Sequence, residues 1–166
     1  MKKQNGFTLI EVLVAIVLLG IGLLGVAGLQ IASLQTNQGA FNRSQASFLV
    51  ADIADRMRLN PEGVAADAYK GIDTNNAASI AADPGCIDSG CSGEQLAIQD
   101  IREWANEFIE VGALGGGAAD PNYLPSLPQG RGQIDYDAVA DTYTISISWI
   151  DITSGTDDSL SLTISL

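Results

Sequence analysis

Glu11 is a lone carboxylate at the start of an apolar run: from Val12 to Leu29, eighteen residues carry no charge. An acid at the centre of a bilayer costs about 2.5–3.5 kcal/mol. The chemistry to look for is therefore a cation held close by. A cut between Gly6 and Phe7 would create a new amine four residues before Glu11. Residues i and i+4 face each other across one helical turn, and the acid would lie at the positive end of the helix dipole. Glu11 reads as a register device whose partner is an amine, of its own chain or of a neighbouring one.

The other candidate groups are weaker. The chain has 166 residues and no histidine, which removes Ser-His-Asp and Cys-His catalysis and histidine-based metal sites. Its formal net charge of -12 opposes nucleic-acid binding, which needs a basic face. Glu103, Glu107 and Glu110 read as a solvated helix face. Asp151, Asp157 and Asp158 flank a turn at a spacing that fits no EF-hand, and read as solvated turn acids. Gly20-Ile21-Gly22-Leu23-Leu24-Gly25 matches a dinucleotide fingerprint by letter only, since it follows no strand. No catalytic residue, metal or cofactor is expected, and no enzyme activity.

These residues must be positioned by a small set of elements. The apolar run extends to Leu34, long enough for a bilayer core of roughly 20 residues. Lys2 and Lys3 precede it, so the positive-inside rule places the N-terminus in the cytoplasm and the remainder outside. Three readings of this segment compete. One is a signal peptide cut after Val26-Ala27-Gly28. Another is a plain anchor. The third is processing at Gly6-Phe7, and only this one gives Glu11 a purpose. Gly20, Gly22, Gly25 and Gly28 suit either close packing or a soft stretch of helix, each costing ~1 kcal/mol against alanine.

The helical pattern continues with Leu34, Phe41 and Phe48 seven apart and Leu49, Ile53 and Met57 four apart, together read as one apolar stripe. Asn42, Arg43, Gln45, Asp52, Asp55 and Arg56 are assigned to the other face. Asn60-Pro61 ends the helix. One helix from Phe7 to Leu59 would be ~80 Å long. Residues 61–93 read as a loop region containing Cys86 and Cys91. Outside the cytoplasm a disulfide between them is expected, with Pro84, Gly85 and Gly90 as turn formers. The alternatives, a metal site or a redox pair, lack histidine and the C-x-x-C spacing.

A second helix is expected over about 93–110, with Ala97, Ile101, Trp104, Ala105 and Phe108 on its apolar side. Asp100, Arg102, Glu103, Asn106, Glu107 and Glu110 are placed on its other sides. Three strands with period two follow, near Gln133–Tyr136, Tyr143–Ile150 and Ser159–Leu166. The links suit an antiparallel meander whose apolar face is covered by the end of helix one and the Trp104 face of helix two. The third strand is a candidate sheet edge, open to pairing with a partner.

At Gly6–Ile16, "GFTLIEVLVAI" resembles the processing motif of type IV pilins and of the pseudopilins of type II secretion. The resemblance implies that a prepilin peptidase cuts after Gly6 and methylates the amine of Phe7. It implies further that Glu11 pairs with a neighbour's N-terminus during filament assembly. The implied fold is α+β, the type IV pilin fold: a long N-terminal helix packed on a small antiparallel sheet, with a second short helix. The expected organisation is a leader at 1–6, a membrane and filament-core half at 7–34, an amphipathic half at 35–60 and a globular head at 61–166. Before assembly the chain would sit in the inner membrane with its head in the periplasm; afterwards it would be in a pilus at the cell surface.

"GIGLLGVAGLQ" (20–30), "RSQASFLVADIADRMRLNP" (43–61), "LPQGRGQI" (127–134) and "ISISWID" (145–151) resemble the PilV-type minor pilins more narrowly. The likeness is weak in the loops at 62–92 and 111–125. It implies a low-abundance subunit that primes pilus assembly at the tip. Its partners would be other minor pilins, the major pilin and a PilY-type adhesin. A minor pseudopilin of a type II secretion system and a pilus-borne binding module are the alternatives.

Overall fold

The computed structural model describes residue 6 and residues 8–86, 90–114, 122–151 and 154–166, with the side chains of 113 and 114 excepted. Its contacts divide the chain into two compact units, Met1–Gln38 and Gly39–Leu166. The first unit holds the apolar part of helix α1, which runs from Leu9 to Leu59. α1 passes through Gly20, Gly22, Gly25 and Gly28 without interruption. A Cβ added at any of the four would meet open space, so nothing among the described residues requires their small size.

The second unit is a helix-on-sheet sandwich. Its elements are the end of α1, α2 (Pro61–Ala65), β1 (Ile72–Asp73), α3 (Gly93–Ala105), α4 (Val111–Leu114), β2 (Arg131–Asp137), β3 (Thr142–Ile150) and β4 (Asp157–Ile164). The sheet is antiparallel in the order β1-β2-β3-β4. Three of its strands fall where period two places them. The fourth, β1, is two residues long and lies in the segment read as loop; Ile72 pairs with Ile134 there. A strand that short has no period to display. Its position is held by Arg131, which donates to both carboxylate oxygens of Asp73 at 2.9 and 2.6 Å. The guanidinium holds the Asp73 carboxyl below its ordinary range.

Along β3, Tyr143, Ile145, Ile147 and Trp149 are buried and the residues between them are half-exposed. They form one core with Leu49, Val50, Ile53, Ala54 and Met57 of α1 and Ala97, Ile101 and Trp104 of α3. Both expected covers of the sheet are thus in place. The stripe on α1 differs from expectation. Leu49, Ile53 and Met57 are buried, but Phe41 and Phe48 are 62% and 70% exposed. The buried row is Asn42, Ala46, Leu49, Val50, Ile53, Ala54 and Met57. Phe48 lies two residues from both Ala46 and Val50, about 200° around a helix of 3.6 residues per turn. The seven-residue row of Phe41 and Phe48 is therefore a second stripe on the opposite side. Asn42, placed on the polar face from its type, is on the buried row.

α3 begins with a capping box: Gln95 N–H donates to Ser92 Oγ at 3.3 Å, and Ser92 N–H donates to Gln95 Oε1 at 3.0 Å. The Cys86–Cys91 disulfide lies just before it, and a closed loop of this size contributes about 2 kcal/mol in the chain-entropy picture. α3 stops at Ala105, short of the expected 110. The connector takes the helix carbonyls instead: Tyr123 donates its hydroxyl to Asn106 O at 2.7 Å, and Ser126 N–H donates to Glu107 O at 2.8 Å. Phe108 is still buried, edge-on to Trp104. The glycine run at 115–117 lies outside the described residues.

Candidate assembly site

The apolar segment around Glu11 has no cover among the described residues of its own unit. Leu9, Ile10, Leu13, Ile16, Leu18, Leu19, Ile21, Leu23 and Leu24 are all exposed, and the most apolar 18-residue window has a mean hydropathy of 2.8 and no buried residue. By length and composition this helix can cross a membrane. So much uncovered apolar surface demands lipid or neighbouring protein. Glu11 stands in the first turn of α1, where its N–H donates to Thr8 O at 3.1 Å. Val12, Ala15, Ile16 and Leu19 line a shallow groove with it. The site therefore pairs one acid with an apolar helix surface at the helix N-terminus, where unpaired N–H groups favour negative charge. Gly6 is exposed; Phe7 lies outside the described residues, so the distance from its amine to Glu11 is not described.

A second polar assembly, in the head, escaped sequence reasoning. Asn60 caps α2 by accepting from Gly63 N–H at 3.1 Å. Its amide donates to Gly93 O at 2.7 Å and to the Tyr69 hydroxyl at 3.1 Å. Tyr69 donates to Asp100 Oδ2 at 2.6 Å. Arg56 reaches the other Asp100 oxygen at 3.3 Å, Glu103 at 2.6 Å and Asp52 at 3.0 Å. Burial and the Asp100 carboxylate push the Tyr69 hydroxyl well above its ordinary range. Burial works against the Arg56 charge, but Glu103, Asp52 and Asp100 outweigh it and raise the pKa. This network ties the end of α1 to α2 and α3. Asp100, placed with the solvated residues of α3, is 7% exposed. The signal was present: position 100 is three after Ala97 and four before Trp104, on the apolar side.

Three of the other acids singled out in the sequence have partners nearby. Glu103 pairs with Arg56 and accepts from Gln99 at 2.8 Å. Glu107 accepts from the Ser126 hydroxyl. Asp151 closes the β3–β4 turn, its N–H donating to Thr156 O at 2.9 Å. Among the described residues no three potential metal ligands converge.

Two family models cover consecutive parts of the chain. The prokaryotic N-terminal methylation motif matches residues 1–27, and the model described as type IV pilin Tt1218 matches residues 28–102. The chain belongs to the type IV pilin-like family. The second match runs from the apolar helix through Arg56, Asn60, Tyr69 and Asp100, so it covers most of the network that ties the end of this pilin's α1 to α2 and α3. The methylation motif brings with it processing by a prepilin peptidase and assembly with other pilins. The family is structural, and the apolar helix suits a membrane anchor. No curated protein and no solved structure matches the chain at a significant level.

Proposed function

We propose that this pilin is a minor subunit of the PilV type that helps to prime a type IV pilus and sits at its tip. In this reading residues 1–6 are the leader, Phe7 becomes the methylated N-terminus, and Glu11 pairs with the amine of a neighbouring subunit. The head lies in the periplasm until assembly. The observation that carries the reading is the lone acid in the first turn of an otherwise uncovered apolar helix, directly after Gly6-Phe7. The narrower likeness of "DIADRMRLNP" to PilV-type subunits favours the pilus over a secretion pseudopilus. The outward row of Phe41 and Phe48 supports burial among other subunits, since large apolar side chains at this spacing gain nothing from water.

The deciding experiment is mass spectrometry of the N-terminal peptide from native membranes. A peptide starting at N-methylated Phe7 is expected; one starting at Leu29 would mean ordinary export. Deletion of the gene should impair twitching and leave type II secretion intact, and the reverse result would assign it to the pseudopilus. Glu11→Val should leave cleavage unchanged while lowering incorporation into filaments at least tenfold, of the order expected when a charge pair worth about 1.4 kcal/mol or more is lost in a low-dielectric interior. Incorporation equal to that of the parent would overturn the pairing.

A further inference from the structure

β4 is the outermost strand of the sheet among the described residues, and it is a long one, Asp157–Ile164. Natural edge strands are usually blunted by lysine, proline, a bulge or an overlying segment. β4 contains neither lysine nor proline, its one core-facing charge, Asp158, is confined to its start, and its register with β3 runs without a bulge from Asp157↔Ile150 to Ile164↔Tyr143. One row of its backbone N–H and C=O groups therefore faces outward with no strand beside it.

The core beneath this edge is also unfinished. Asp158, Leu160, Leu162 and Ile164 pair with Trp149, Ile147, Ile145 and Tyr143 and so share the core face of the sheet. Their β3 partners are all buried, yet Leu160 is only partly buried and Leu162 is 36% exposed. Leu166, on the same parity, is exposed as well. Together with Met57, Pro61, Val64 and Ala65 it lines a groove of about 590 Å³ that begins where β4 ends. The cover supplied by α1 and α3 reaches Ile164 but is incomplete over Leu160 and Leu162.

Charge identifies what completes it. The head, residues 39–166, carries nineteen acidic residues against six basic ones. Arg56, Arg58, Lys70 and Arg131 are each engaged with a carboxylate, and Arg102 donates to Ala81 O. Two copies of so acidic a surface repel each other. Asp157 and Asp158 stand at the start of the open edge, at the far end of the strand from the groove.

We propose that β4 accepts an extended segment of a different protein as a fifth strand. In this segment apolar and polar residues alternate, lysine or arginine lies beside Asp157 and Asp158, and an apolar side chain enters the groove at Met57, Val64 and Leu166. Backbone pairing supplies affinity, while the acids and the groove set register and choice of partner. The proposal does not depend on processing at Gly6 or on incorporation into a filament.

The test is photo-crosslinking of the full chain in its native cells, with p-benzoylphenylalanine in place of Ser161. Ser161 is exposed on the outer face of β4, opposite Ser146. The expected adduct peptide comes from another protein, alternates apolar and polar residues and carries at least one lysine or arginine. Asp157→Asn with Asp158→Asn should cut the yield about five-fold or more. Asp135→Asn, on β2, should not change it. Adducts confined to lipid or to a second copy of this chain would overturn the proposal. So would a partner segment without alternation or cations, absence of any adduct at parental protein levels, or a yield indifferent to the Asp157 and Asp158 changes.

Discussion

Gly6→Ala is expected to leave the leader attached, to hold the whole chain in the membrane and to abolish its appearance in filaments. The effect is large because three consequences follow from one bond. An uncut chain keeps Lys2 and Lys3 ahead of the apolar helix, where they anchor it at the membrane surface. It has no amine at Phe7, so under the proposed pairing it offers no cation to a neighbour's Glu11, whose cost in the bilayer is about 2.5–3.5 kcal/mol. The apolar side chains from Leu9 to Leu34 are then expected to remain in lipid, with less electrostatic gain from moving into a protein filament. Intact-mass measurement of the membrane and pilus fractions reads this outcome. Normal pili containing cleaved Gly6→Ala protein would sink it. The head should be unaffected, because Gly6 belongs to the other unit, so protease resistance equal to the parent's is the control for folding.

Trp104→Ala should destabilise the head by about 4 kcal/mol, a large share of the ~5–15 kcal/mol typical of a domain. Trp104 is 1% exposed and sits where α1, α3 and the sheet meet. Its indole N–H donates to Leu49 O at 3.0 Å, and its ring meets Phe108 at 5.1 Å between centroids. Opposite the ring is Gly132 of β2, where an added Cβ would come within 2.4 Å of Trp104 Cη2. The sheet has given up a side chain at Gly132 to admit the indole, so this position has nothing with which to fill the space left by alanine. Phe48→Ala is the matched comparison. That ring is 70% exposed, and its loss from the isolated chain should be within about 0.5 kcal/mol. Denaturant unfolding of the full chain in detergent, followed by the fluorescence of the retained Trp149, measures both. A loss below about 1.5 kcal/mol for Trp104→Ala would show that the core can close over the cavity.

Much of this architecture is visible in local pattern. The end of α1 follows from Asn60-Pro61, because a proline excludes the helical conformation before it. The strands follow from strict alternation, as in Tyr143, Ile145, Ile147 and Trp149. The start of α3 is written in Ser92 and Gln95, though only the structure shows the capping box closing. Other features depend on residues far apart in the chain. β1 exists because Ile134 and Arg131 are there to receive Ile72 and Asp73, and two residues carry no periodic signal of their own. α3 is cut short by Tyr123 and Ser126, which lie beyond its expected end.

The assembly site and the head network divide in the same way. Gly6, Phe7 and Glu11 are legible as candidates because their reading rests on spacing within one short stretch of chain, and local spacing is what a sequence states directly. By itself the sequence determined the family, the apolar helix, the periodicity of the three long strands and the disulfide pair. Only the tertiary structure decided which of two apolar stripes on α1 would be buried. It also turned Asp100 inward to meet Tyr69 and Arg56, and left β4 with an open edge. These depend on which surfaces meet across stretches of chain that no local pattern spans, thirty-one residues from Tyr69 to Asp100 and forty-four from Arg56 to Asp100, and burial, unlike helical or strand period, is a property of the pair of surfaces rather than of either one.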